Sequence, residues 1–228
     1  MGKFSSLPSL NNVETLPEKI CASLEEAILQ GKVRPGDRLI ENELSNSFGI
    51  SRGPLREAFR LMEKEGLIKM IPRKGAVVHP LSREDLSEVY EVISVLEGLA
   101  GRLFCERGTK EDLARLKKIY NGMEAQVKGN NLSKYEKLNR EFHDIFISGS
   151  GNKRIKQICN TFQKQIRWFQ KITLSFAGRQ EISLKEHRRM LDAFSKRDSE
   201  RAEREVREHM NRAARTYLNT KEGGGEVK

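Results

Sequence analysis

SRGPLREAFRLMEKEGLIKMIPRKG, residues 51–75, is the stretch whose reading decides the fold. Leu55, Ala58, Phe59 and Met62 fall at i, i+3, i+4 and i+7, which makes one apolar stripe for packing on a small core. Arg52, Arg56 and Arg60 recur every fourth residue on a different face. Ser51 suits an N-cap, Pro54 is tolerated in a first turn, and Gly66 can end the helix in left-handed geometry. Beyond it LIKMI is β-prone, PRKG supplies turn residues and AVV returns as a second strand, so a hairpin follows the helix. Seven Lys/Arg stand against three acids between Ser51 and Gly75. A solvated amphipathic helix beside an ordinary hairpin would explain charge alone. A helix, a short turn, an arginine-bearing helix and a basic wing in that order instead point to DNA reading.

Upstream, residues 1–16 are polar and read as a flexible arm, with neither the apolar core of a signal peptide nor the pattern of a transit peptide, so a cytoplasmic location is expected. Pro17 opens a helix with Ile20, Leu24, Ala27 and Ile28 on one face, and Gly31 stops it. RPGDRL turns into a short strand around Leu39, a second helix holds Glu43, Leu44 and Phe48, and Gly49 makes the turn into the arginine helix. Residues 17–80 therefore read as a winged helix-turn-helix.

The chain of 228 residues is long enough for one large or two modest domains, its 37% hydrophobic and 32% charged composition fits a soluble, mainly α protein, and no apolar run approaches membrane-spanning length. Cys21, Cys105 and Cys159 are widely spaced with no CxxC pair, which favours buried small hydrophobes over a zinc or redox motif. The net charge of +10 divides into +2 for residues 1–80 and +8 for the remainder. Local clustering of arginine, and not overall basicity, is what points to DNA.

Past a short linker at His79 to Ser82, where Pro80 cannot continue a ladder and Ser82 can cap a helix, the pattern is helical only. Six apolar-periodic segments follow, separated by Gly108, the KGNNLS loop, GSGN, Gly178 and Lys196-Arg197-Asp198. An all-α bundle of six helices over residues 82–220 is expected, with residues 221–228 as a disordered tail. Three of the four histidines lie in this half. Asn139 and His143, four apart, share one helix face. His187 and His209 lie about ten residues before and eleven after the last helical bend; at roughly 1.5 Å per residue both stand some 16 Å from it. Antiparallel helices thus bring them to one level, where three imidazoles and an amide oxygen can converge. Separate histidines with satisfied hydrogen bonds remain the competing reading.

Two resemblances overlay this. The run LQGKVRPGDRLIENELSNSFGISRGPLREAFRLMEKEGLIKMIPRKGAVV resembles the N-terminal domain of the GntR family of bacterial transcription regulators. The resemblance implies that Arg52, Gly53, Pro54 and Arg56 dock on an operator, with the wing residues Lys74 and Gly75 approaching the minor groove; Arg73 flanks the same basic tip. Asn42 departs from relatives that place a DNA-contacting arginine there. NREFHDIF, the SGSGN end, KEHRRMLDAFSKRD and REHM are similar to the FCD ligand-binding domain of the FadR branch of that family. That likeness implies a divalent metal, Zn, Ni or Mn, held by Asn139, His143, His187 and His209 in an effector pocket, and the six-helix variant of the domain. In this chain Asn139 replaces the commoner aspartate. Ile93 stands where many relatives carry an arginine that clamps an effector carboxylate. Arg167, beside Trp168, is the candidate substitute, with a solvated arginine as its alternative.

The expectation is a metabolite-responsive, homodimeric regulator, and a repressor by family habit, that binds a palindromic double-stranded operator, takes a small-molecule effector with a carboxylate among the candidates, and has no membrane partner. Two further classes stay open at this point. Three histidines with an open position suit a zinc-dependent hydrolase, although no HExxH pattern accompanies them. A constitutive DNA-binding protein whose bundle only dimerises is the other.

Overall fold

The computed structural model describes residues 14–80 and 82–219, so most of the N-terminal arm and the whole 221–228 tail lie outside the described residues. The chain divides into two compact units between His79 and Pro80.

In the first unit α1 (Leu16–Leu29) begins on a capping box, in which Thr15 and Glu18 satisfy each other's backbone N–H groups. It buries Ile20, Cys21, Leu24 and Leu29. A two-residue strand β1 (Arg38–Leu39) leads into α2 (Glu41–Phe48), which Gly49 ends at φ +64°. The arginine helix is α3 (Arg52–Lys64), and Leu55, Ala58, Phe59 and Met62 are its buried side. Ser51 holds the N-cap position without a side-chain cap bond. The third helical residue is Pro54, which has no N–H for the hydroxyl to receive. Gly66, at φ +73°, follows the helix end. The wing strands β2 (Ile68–Ile71) and β3 (Gly75–Val78) form with β1 an antiparallel sheet of order β1-β3-β2, in which Leu39 faces Ala76 and Ile68 faces Val78. Ile68, Ala76 and Val78 close the core over α1 and α3.

The second unit holds six helices among the described residues: α4 (Arg83–Arg107), α5 (Lys110–Lys128), α6 (Leu132–Gly149), α7 (Lys153–Ser175), α8 (Arg179–Lys196) and α9 (Ser199–Leu218). Capping boxes at Ser82/Asp85 and Thr109/Asp112, and side-chain caps at Asn131, Asn152 and Asp198, explain where all of them but α8 start. The helices α4 and α9 pack antiparallel, the Arg83 guanidinium meeting the Leu218 carbonyl at one end. Their close approach needs Gly98: a Cβ there would lie 2.3 Å from Arg207 Cγ and 3.2 Å from the Glu203 carbonyl oxygen. At the bend between α8 and α9, Arg197 donates to the carbonyls of Phe104 and Cys105, both at 3.1 Å, placing a cation on the C-terminus of α4. Phe104, Phe142, Phe146 and Phe194 fill the centre. The three cysteines are buried and form no disulfide, and burial pushes the Cys105 thiol up to about 11. Among the described residues no helix is long and apolar enough to cross a membrane.

Candidate metal centre and nucleic-acid interface

His143 on α6, His187 on α8 and His209 on α9 are all buried, and one ring nitrogen from each lies within 4.8 Å of the others. Their ring centroids are 4.6 to 5.3 Å apart. Each Nδ1 is engaged on the outer side: His143 with Glu97 Oε2 at 2.6 Å, His187 with the Ser183 carbonyl at 2.7 Å, and His209 with Glu186 Oε2 at 2.7 Å. An acceptor at Nδ1 places a proton there, so the Nε2 of a neutral ring presents its lone pair inward. The His143 and His187 Nε2 atoms stand 3.3 Å apart. Two facing acceptors cannot hydrogen-bond. Two nitrogens held at about 2.0–2.1 Å by one tetrahedral ion would be roughly 3.4 Å apart, so the residues fit a divalent metal.

The carboxylates behind the rings are themselves fixed. Glu97, fully buried on α4, also accepts from Gln163 Nε2 at 2.9 Å. Glu186 accepts from Arg179 Nη2 at 3.1 Å, and Arg212 Nε lies 3.2 Å from its other oxygen, an ion pair without hydrogen-bond alignment. Burial opposes ionisation of Glu186, yet the contacts with His209 and Arg179 hold its carboxyl below the usual range. Burial, reinforced by His209 and His143, pushes His187 well below the imidazole value. Burial lowers His209 too, against the opposing pull of Glu186. Neutral rings are what metal ligation requires.

Asn139, one turn before His143, is buried and its Oδ1 has no hydrogen-bond partner. It lines two adjoining spaces. One is a chamber of about 20 Å³, room for one ion or water, shared with His143, His209, Ser183 and Arg179. The other is a cleft of about 250 Å³ lined also by Gln163, Lys164, Arg167 and Gln170. Arg167 therefore faces the cleft half-buried rather than free in solvent. Ile93 is fully buried in the core.

The nucleic-acid candidates lie in the other unit. Arg52, Gly53, Arg56, Arg73 and Lys74 are exposed, with Pro54 and Gly75 half-buried. Arg56 does not stand free: its Nε lies 3.0 and 3.2 Å from the two oxygens of Glu41 on α2. The wing turn puts Arg73 at φ +65° and Gly75 at φ +81°, and Glu63 of α3 accepts the Met70 backbone N–H at 2.9 Å, tying the wing base to the helix.

Sequence reasoning missed Glu97, Glu186, Gln163 and Arg179. The two glutamates carried a signal: Glu97 follows Ile93 by one turn on the apolar stripe of α4, and Glu186 lies on the buried face of α8 with Ser183, His187 and Met190. A charge on an apolar face is seldom left unpaired. Nothing in the spacing marks Arg179.

Family comparison agrees with both halves. Residues 16–78 match the family described as bacterial regulatory proteins, gntR family, and residues 88–212 match the FCD domain. The chain is 32% identical to an HTH-type transcriptional regulator, YdhC, of Bacillus subtilis (strain 168), over 89% of this chain and 91% of that one. It is 27% identical to the gluconate operon transcriptional repressor of Bacillus licheniformis, covering 76% and 70%. Among solved structures, E. coli McbR/YncC superposes with a TM-score of 0.75 at 20% identity, covering 88% of this chain and 95% of that one, which speaks to fold alone.

Proposed function

The chain belongs to the gntR family of bacterial regulatory proteins and carries an FCD domain; from that premise we propose that it is a metabolite-responsive repressor whose effector binds beside a divalent metal. Its family is one of transcriptional regulators and not of enzymes, which sets the hydrolase reading aside. The observation that carries the metal is the convergence of three imidazoles whose outer nitrogens are all occupied. Asn139, His143, His187 and His209 would hold the ion, and Zn, Ni or Mn suits this donor set. Bound there, it supplies a Lewis-acidic anchor for an anionic effector oxygen. Glu97 and Glu186 orient the rings from behind, so neither is placed to act as a base.

The DNA reading rests on the exposed Arg52, Gly53, Pro54 and Arg56 at the start of α3 and on Arg73, Lys74 and Gly75 at the wing. We place the protein in the cytoplasm as a homodimer on a palindromic operator. The pairing surface has a candidate in α4, where Val92, Val95 and Leu99 form an exposed apolar stripe. Effector binding changes operator affinity only by its unequal affinity for the two DNA-binding states of the dimer. Relatives named as gluconate operon repressors favour a hydroxylated carboxylate as the effector.

The test joins metal and regulation. Elemental analysis of the purified chain should find about one transition-metal ion per chain, and His187→Ala should lose it while still binding operator in a gel shift. A constitutive regulator with a purely dimerising bundle would instead hold no metal and keep one operator affinity across a panel of carboxylates.

A further inference from the structure

Arg56 is the middle cation of α3. Arg52 and Arg60 stand four residues to either side, a spacing at which like charges repel. Among the described residues, Arg56 is the only one of the three met by a carboxylate. Glu41, the first residue of α2, places its Oε2 3.0 Å and its Oε1 3.2 Å from Arg56 Nε. Both oxygens fall on Nε, and neither Nη group hydrogen-bonds to a described residue. The arginine is thus held by the nitrogen nearest its own stem, with the four N–H groups of its far end left over. The mount is stiff. Leu44 and Phe48 of α2 pack on the core of this unit, the Ser45 hydroxyl donates to the Ile50 carbonyl at 2.7 Å, and the Ile50 N–H returns to the Ser45 carbonyl at 3.0 Å.

An exposed ion pair adds little to stability, so the consequence of this one lies in binding. A carboxylate beside Arg56 repels any phosphate that would take the same guanidinium, and a cation already paired displaces fewer counterions when it meets one. A base edge is different, because guanine O6 and N7 can accept two bonds from the free end while Nε keeps Glu41. We propose that Glu41 is a positioning residue for operator reading: it offers the far end of Arg56 to a base edge and withholds the cation from phosphates, setting sequence discrimination more than affinity. This rests on the DNA reading above, in which Arg56 meets the operator. A correct site keeps the pair and gains a bidentate contact. A wrong site leaves Arg56 only a phosphate, against the charge of Glu41.

For the test, full-length wild-type protein selects a preferred duplex from a random pool, and its binding is compared with that of a shuffled duplex of equal length over a salt series. Glu41→Ala should raise affinity for the shuffled duplex and steepen its salt slope by up to about one unit, since Arg56 can then neutralise a phosphate. The ratio of preferred to shuffled affinity should fall by about 2- to 10-fold, the loss that matches one long side chain to be ordered on binding. Glu41→Gln keeps an acceptor for Nε without the charge, so it should steepen the slope as Ala does yet recover part of the ratio. In an Arg56→Ala background, Glu41→Ala should leave the ratio within about twofold. The competing role for Glu41 is an acid that favours the N-terminus of α2, which would lower the melting temperature and move both duplexes alike. That result, an unchanged ratio in Glu41→Ala, or the same fall in ratio with and without Arg56 overturns the inference alone. A pool that yields no preferred duplex, or Arg56→Ala protein that keeps the wild-type ratio, overturns the DNA reading and the inference with it.

Discussion

At residue scale the centre turns on a neutral donor at position 139. Replacing the amide oxygen of Asn139 by a carboxylate adds a full charge to the metal's ligands and a like charge beside any anionic effector. Asn139→Asp is therefore expected to tighten the metal and weaken a carboxylate, two opposite shifts that calorimetry resolves; if both affinities stay put, Asn139 is not a ligand. In the other unit Arg56→Ala should cost about 1–3 kcal/mol on the specific site if the guanidinium makes a bidentate guanine contact. The Glu41 pair engages that side chain before DNA arrives, but at 59% exposure it contributes little to stability. Leu55, one residue earlier and fully buried, behaves oppositely: Leu55→Ala should lower folding stability by about 2–5 kcal/mol in a denaturant titration. A gel-shift series at fixed salt, run only on variants shown to be folded, tells the two roles apart.

At the scale of elements the wing and α3 act as one body, because Glu63 accepts the Met70 N–H and Ile68 packs in the same core as Phe59 and Met62. The exposed tip should serve phosphates or a narrow minor groove rather than base edges. Arg73→Ala with Lys74→Ala is then expected to weaken specific and non-specific DNA about equally. It should also flatten log K against log salt by up to about one unit for each phosphate that the wing no longer neutralises. An unchanged slope would remove the wing from the interface. The pairing of α8 with α9 was legible from residue counting, since helical rise is nearly invariant and the bend at Arg197 is tight; His187 and His209 do lie level, with ring centroids 4.6 Å apart. The missing cap bond at Ser51 was not, because Ser51 and Pro54 each suit their own positions and conflict only as a pair. Pro54 removes the donor that Ser51 would have served.

For the whole molecule, acid should act on the bundle through the buried centre. His187 and His209 have folded pKa values below their unfolded value of 6.5. Between those limits the unfolded chain binds more protons, so stability rises with pH up to about 6.5 and is fully present above it. Glu186, also lowered, adds a second loss as pH falls below its unfolded 4.5. The melting temperature of chelator-stripped protein should thus fall as pH drops below about 6.5 and fall further below about 4.5; a curve flat from pH 7 to 4 would deny the buried neutral rings. The same depression weakens proton competition for the ligands, and metal release measured by dialysis should come below the pH at which a free imidazole protonates. The amino-acid sequence by itself determined the helices, the wing and the faces on which the histidines lie, because periodicity and capping are local and obey fixed backbone spacing. Only the tertiary structure decided that Glu97, Glu186 and Ser183 take the outer ring nitrogens, that Glu41 holds Arg56, and that Arg179 enters the chamber. Those partners come from different helices or turns, and burial of the whole core chooses which faces meet.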